Sequence, residues 1–194
     1  MNVDIPRPCE QELKKYLDLW DSLDNYVLQE KSLNKLFMGT FPYNTEIEDI
    51  LIKASALNDF YSTNIFSIFP VAQHILNLDI DKRLKDGDIT LVPEIANVEI
   101  KGIKKVFYSF ATKYCSHHNQ LDFPIYDSYV DKVLMYFQKK HKFASFKQNE
   151  LKDYSKFKEI LLKFAEYYGL SNYNLKDIDR YLWQLGKQFF TKKY

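Results

Sequence analysis

Two side chains suited to covalent and proton chemistry stand 14 residues apart in one stretch of the chain. Lys113 lies in Ser109-Phe-Ala-Thr-Lys-Tyr-Cys115, and Asp127 in Phe123-Pro-Ile-Tyr-Asp-Ser-Tyr-Val130. The lysine is surrounded in sequence by Phe107, Phe110, Ala111, Tyr114 and Cys115. Aromatic walls desolvate an amine and favour its neutral, nucleophilic form. Asp127 opens a helical pattern, so it occupies an N-cap position. There a carboxylate stays ionised and can stabilise positive charge or carry a proton. The plainer alternative is a solvated lysine on a helix face and an aspartate that only caps.

Other polar groups could line the same cleft. In Leu57-Asn-Asp-Phe-Tyr-Ser-Thr-Asn-Ile65, Asn58, Tyr61 and Asn64 could hydrogen-bond a ligand edge; the alternative is a helix end satisfied by Ser62 and Asn64. His117 and His118 could border a pocket or touch phosphate, or simply place cations at a helix C-terminus. A metal site is not expected. Cys9, His74, Cys115 and His141 are scattered, and three or four ligands must converge for zinc. Asp79, Asp81, Asp86 and Asp88 fail as a calcium loop, because Arg83 and Leu84 stand where an oxygen ligand and a glycine belong. These acids read as a capped surface turn, and no cofactor is implied.

The elements that must position these groups read as helices throughout. Apolar residues at helical spacing predict helices over 8–28, through Leu33 to Phe37, and over 45–57 with Thr45 and Glu48 as a capping box. Further helices are predicted through Ile65 to Ile75, capped by Ser62 and Thr63, over 79–86 with Gly87 as the stop, and through Leu91, Ile95 and Val98. Helices over 102–117, 127–140, 148–168 and 175–191 complete the pattern, with Gly169 and Asn174 as stop and cap and Trp183 in the core. Strand-like alternation longer than four residues is absent. The expectation is an all-α, compact multi-helix domain of 8–10 helices spanning 1–194, with room for a two-lobed arrangement whose cleft lies near 58–64 and 108–130.

Composition agrees with long regular elements around an aromatic core, since 15 Tyr and 15 Phe accompany only 5 Gly and 6 Pro. No apolar run reaches the roughly 20 residues of a membrane span. Two distant cysteines form no disulfide framework, and the N-terminus lacks a signal-peptide core, so a cytoplasmic protein away from membranes is expected. Net charge is +1, but residues 1–100 hold 9 Lys/Arg against 17 Asp/Glu and residues 101–194 hold 18 against 9. That asymmetry can draw a polyanion to the C-terminal half.

The stretch from Ser109 to Val130 resembles the helix-hairpin-helix DNA glycosylase superfamily (HhH-GPD). Ser109-Phe110-Ala111-Thr112-Lys113 stands where that family has Gly-hydrophobic-Gly, one residue and its catalytic lysine. Pro124-Ile125-Tyr126-Asp127-Ser128-Tyr129-Val130 stands where it has the phrase with its catalytic aspartate. Ser109 and Ala111 replace the hairpin glycines, and the four-cysteine iron–sulfur pattern is absent. The resemblance implies a base-excision repair glycosylase, with or without lyase activity, that flips a damaged or modified base into a pocket. It implies Lys113 and Asp127 as catalytic residues, Tyr108, Phe110 and Tyr126 as pocket walls, and Lys101, Lys104 and Lys105 on the DNA backbone. The alternatives are a non-catalytic nucleic-acid-binding module on the same scaffold and a protein-interaction domain.

Overall fold

The computed structural model describes residues 4–191. Their elements run α1 (Glu10–Trp20), α2 (Asp24–Asn34), a π-helical turn (Lys35–Thr40), α3 (Ile47–Tyr61), α4 (Ile68–Asn77), α5 (Asp81–Lys85) and α6 (Leu91–Ala96). Strands β1 (Asn97–Ile100) and β2 (Ile103–Val106) come next, then α7 (Tyr108–His118) and α8 (Ser128–His141). A 3-10 turn (Gln148–Lys152), α9 (Tyr154–Tyr167) and α10 (Leu175–Phe190) complete the chain. The protein is mostly helical, as expected. The chain forms two compact units, one built from residues up to 24 and from 126 onward, the other from 25–125. None of the described helices is long and apolar enough to cross a membrane.

In the middle unit, α2, α3, α4, α6 and α7 surround Leu33, Phe37, Leu57, Val71, Ile75, Leu91, Ile95, Phe110 and Tyr114, all buried. Two local predictions change here. Residues 97–106, where a helix was expected through Val98 and another from 102, form an antiparallel hairpin. Lys101 and Gly102, with φ of 51° and 75°, supply the two left-handed residues of a two-residue turn. Val98, Ile100, Ile103 and Val106 favour extended backbone, and Glu99 faces Lys104 directly across the ladder. Four-residue strands leave too short an alternation to recognise, and α7 consequently begins at Tyr108 and not at 102.

The second change concerns capping. Glu46, without a side-chain cap, precedes α3 in place of Thr45, and Ser67 precedes α4 in place of Ser62 or Thr63. Ser62 instead ends α3 in the left-handed region. The turn after it is clamped by Asn58. Its Oδ1 accepts from Thr63 Oγ1 (2.7 Å) and the Ile65 N–H (3.0 Å), and its Nδ2 donates to the Ile65 carbonyl (3.2 Å).

In the other unit, α1, α8, α9 and α10 bury Leu13, Tyr16, Leu134, Phe137, Phe157, Phe164, Tyr181, Leu182 and Leu185. The predicted helix 8–28 breaks at Asp21–Leu23. Ser22 Oγ donates to the Leu19 carbonyl at 2.7 Å, a local bond that competes with helix continuation. Gly186 lets α10 approach the first turn of α8, since a Cβ there would lie 2.4 Å from the Cβ of Tyr129. Tyr16 Oη donates to Gln188 and the Gln184 amide donates to the Tyr16 carbonyl, joining α1 to α10. Trp183, expected in the core, is half-buried at the surface, edge-on to Trp20 with Lys187 4.9 Å from its ring.

Candidate functional site

Lys113 is the buried lysine of α7, with 2% of its surface exposed. It is not the solvated helix-face residue of the plainer alternative. Helical spacing puts Ser109, Lys113 and His117 on one face of α7, each one turn from the next. The Lys113 ammonium donates to Ser109 Oγ at 2.6 Å and lies 5.2 Å from the centroid of the Tyr61 ring. Tyr61 Oη pairs with His117 Nε2 at 3.1 Å, and His117 Nδ1 lies 3.4 Å from Asn34 Oδ1. Ser109 and Tyr61 thus border the amine, and Tyr61 leads on through His117 to Asn34. Eight consecutive buried residues, Phe110 to His117, make α7 an interior helix, so its polar side chains must find partners inside the fold.

Of the other residues singled out in the sequence, Tyr61 and His117 join Lys113 in this cluster. Asn58 holds the turn after α3, the structural role of its segment, although Ser62 and Asn64 were expected to fill it. Asn64 is exposed at φ 59°. Phe110 is a core residue against Tyr114, and Tyr108 is half-buried at the start of α7. Lys101, Lys104 and Lys105 are exposed on the hairpin.

Asp127 and Tyr126 belong to the other unit. Asp127 is the N-cap of α8, as predicted, its Oδ1 accepting the Tyr129 N–H at 2.8 Å. Tyr126 Oη donates to Asp131 Oδ2 at 2.9 Å, and the ring meets the edge of Phe157. Burial and the Asp131 carboxylate push the Tyr126 hydroxyl well above the usual tyrosine range. Tyr126 lines an open groove of about 550 Å³ with Ser128, Asp131, Lys132, Gln148 and Lys152. Lys132 and Lys152 escaped the sequence reading because an isolated lysine on a helix carries no local signal.

A second polar centre in the middle unit was missed altogether. Lys53 on α3 is completely buried and donates to the Phe41 carbonyl (3.0 Å), the Tyr43 carbonyl (2.7 Å) and Asn44 Oδ1 (2.7 Å). Burial pushes its amine down to about 8, against the opposing pull of Asp81 and Asp49. Tyr114 Oη donates to the same Asn44 oxygen at 2.6 Å. Asn44 Nδ2 donates to Asp81 Oδ1 at 2.6 Å and meets His118 Nε2 at 3.2 Å, while its backbone N–H donates to Asp81 Oδ2 at 2.9 Å. Burial, with help from Lys53 and His117, lowers His118 to about 3, so it is neutral and no helix-end cation. The signal for this centre was present: Lys53 sits three residues after Ile50 and four before Leu57, on the apolar stripe of α3.

Residues 12–122 match a protein-family model described as HI_0787_N, N-terminal domain. A Haemophilus influenzae (strain Rd) protein named only "Uncharacterized protein" is 49% identical over 184 residues, covering 94% of this chain and 87% of that protein. The chain belongs to this family. The family segment spans α1 to α7 and contains both Lys53 and Lys113; Asp127 lies beyond it. No solved structure matches.

Proposed function

We propose that this chain is a DNA base-excision glycosylase with Schiff-base lyase capacity, on a helix-hairpin-helix glycosylase-like fold. The observation that carries the reading is the burial of Lys113 beside a hydroxyl and an aromatic face. A lysine kept out of bulk water can serve as a nucleophile, whereas a solvated one seldom does. In this mechanism a flipped nucleotide presents C1′ to Lys113. The C1′–N bond to the base breaks, the base leaves with a proton, and a C1′–Nζ bond forms. The resemblance to the glycosylase family assigns Asp127, the N-cap of α8, the role of offsetting positive charge on the sugar. Ring opening then gives the Schiff base, from which the 3′ phosphate can be eliminated. Lys101, Lys104 and Lys105, exposed on the hairpin, would contact backbone phosphates in a salt-dependent manner.

A second reading, a non-catalytic nucleic-acid-binding module, draws on the approach to α7. Residues 107–113 contain no left-handed position, and Ser109 and Ala111 replace the family's hairpin glycines. The backbone turn that grips phosphate in that family therefore has no counterpart made with left-handed residues here.

The test offers abasic-site DNA and borohydride to wild type and to Lys113→Ala. A covalent adduct with wild type alone supports the enzyme. Equal trapping by both removes Lys113 from the mechanism. Salt-sensitive DNA binding without trapping or base release favours the module.

A further inference from the structure

We propose that the open groove at the start of α8 binds the phosphodiester backbone of DNA through Lys132 and Lys152. The inference rests on the nucleic-acid reading above but on no chemistry at Lys113. Its foundation is a contrast between the acids and the cations of this region. Asp131, which lines the groove, is 5% exposed and accepts from Tyr126 Oη and Gln148 Nε2. Asp127 and Asp153 cap α8 and α9, accepting the Tyr129 and Lys156 N–H groups. Glu150 accepts from the Lys147 N–H and the Lys156 ammonium. Every acid between residues 126 and 158 is thus committed to a donor within its own unit. The lysines of the groove are not. Lys132 and Lys152 are exposed, and neither has an ion-pair partner among the described residues. Lys140, Lys156 and Lys163, by contrast, hold Asp4, Glu150 and Glu159.

Two cations without internal partners on one groove attract anions. Ser128 and Asn149, both exposed along it, add neutral hydrogen-bond donors. The ligand that answers these groups is anionic, rich in oxygen acceptors, and able to lie in an open channel of about 550 Å³. A phosphodiester chain has that character, and lysine, serine and asparagine side chains are among the usual donors to it. Asp131 does not reverse the sign: with Lys132 and Lys152 against it, the charged groups lining the groove leave a net +1. The wider field agrees, since residues 101–194 hold 18 Lys/Arg against 9 Asp/Glu. A glutamate-rich peptide carries the same sign of charge, and the experiment separates the two.

Fluorescence anisotropy of the full chain on a labelled duplex with an abasic-site analogue, from about 50 to 200 mM KCl, tests this. The double variant Lys132→Ala/Lys152→Ala alters exposed side chains and so leaves the fold intact. It is expected to weaken binding about tenfold and to flatten the slope of log affinity against log salt by about 2. Lys82→Ala/Lys163→Ala removes the same charge from exposed, ion-paired lysines outside the groove. That control is expected to stay within about twofold of wild type. The proposal is overturned if the chain does not bind the duplex or if the groove variant keeps wild-type affinity and slope. It is equally overturned if the control weakens binding as much, or if polyglutamate competes as well as unlabelled duplex. Groove-dependent binding without borohydride trapping by wild type sinks the glycosylase reading alone. Trapping by wild type with an unaffected groove variant sinks this inference alone.

Discussion

Lys53 and Lys113 are both buried lysines of the middle unit, yet their surroundings differ in kind. Lys53 directs its three protons at two backbone carbonyls and an amide oxygen, all fixed by the fold. Lys113 reaches a serine hydroxyl one turn back on its own helix and lies over an aromatic ring. A hydroxyl can rotate and can donate or accept a hydrogen bond; a backbone carbonyl is a fixed acceptor only. Burial alone therefore does not mark a reactive lysine. Lys53 is an amine that holds a loop, whereas Lys113 has a hydroxyl among its partners.

The largest expected effect tests this directly. Lys53→Met should cost about 3 kcal/mol or more in urea unfolding, because three oxygens lose their donor inside the protein. Lys113→Met should abolish borohydride trapping, whereas Lys53→Met should leave trapping intact in the protein that remains folded. Loss of trapping in both would break the distinction. Next, Asp127→Ala should cost about 1 kcal/mol through the lost cap. Asp127→Asn should keep the cap and most of that stability, yet slow base release about a hundredfold if the carboxylate stabilises charge. Unchanged base release in Asp127→Asn would reduce the residue to a cap. Tyr61→Phe removes the bond to His117 but leaves the ring over Lys113, and should cost about 1 kcal/mol with trapping retained.

The smallest effect is in pH. Lys53 titrates at about 8 in the folded protein, below its ordinary value of 10.5. Between those values the unfolded chain binds more protons, so this group makes stability rise with pH across the window. Unfolding free energies measured from pH 8 to 10 should therefore climb more, or fall less, in wild type than in Lys53→Met. Parallel curves would mean that the buried amine keeps its ordinary affinity for protons.

Legibility in the sequence depended on the range of the interactions involved. The caps at Asp127 and Asn174 were legible because each accepts from a backbone N–H two or three residues ahead. Gly169 was legible because a left-handed stop after a helix favours glycine. Lys113 stood out by its aromatic neighbours. The pairing of Tyr61 with His117, 56 residues apart, could not be seen, nor could the bond from Tyr114 to Asn44 across 70 residues. The hairpin was lost to the brevity of its strands, and the break after Trp20 to a single serine side chain. Lys53 was the avoidable omission: a charged residue on an apolar stripe is a request for buried partners.

The order in which the two units appear along the chain has a consequence for biosynthesis. Residues 25–125 are contiguous and can complete their unit while the ribosome is still translating the C-terminal helices. Helix α1 emerges before that unit but packs on α10, which emerges after it, so its apolar face must wait while the intervening residues are made. A nascent chain halted near residue 125 should therefore carry one finished unit and one stranded helix, a natural client for chaperones.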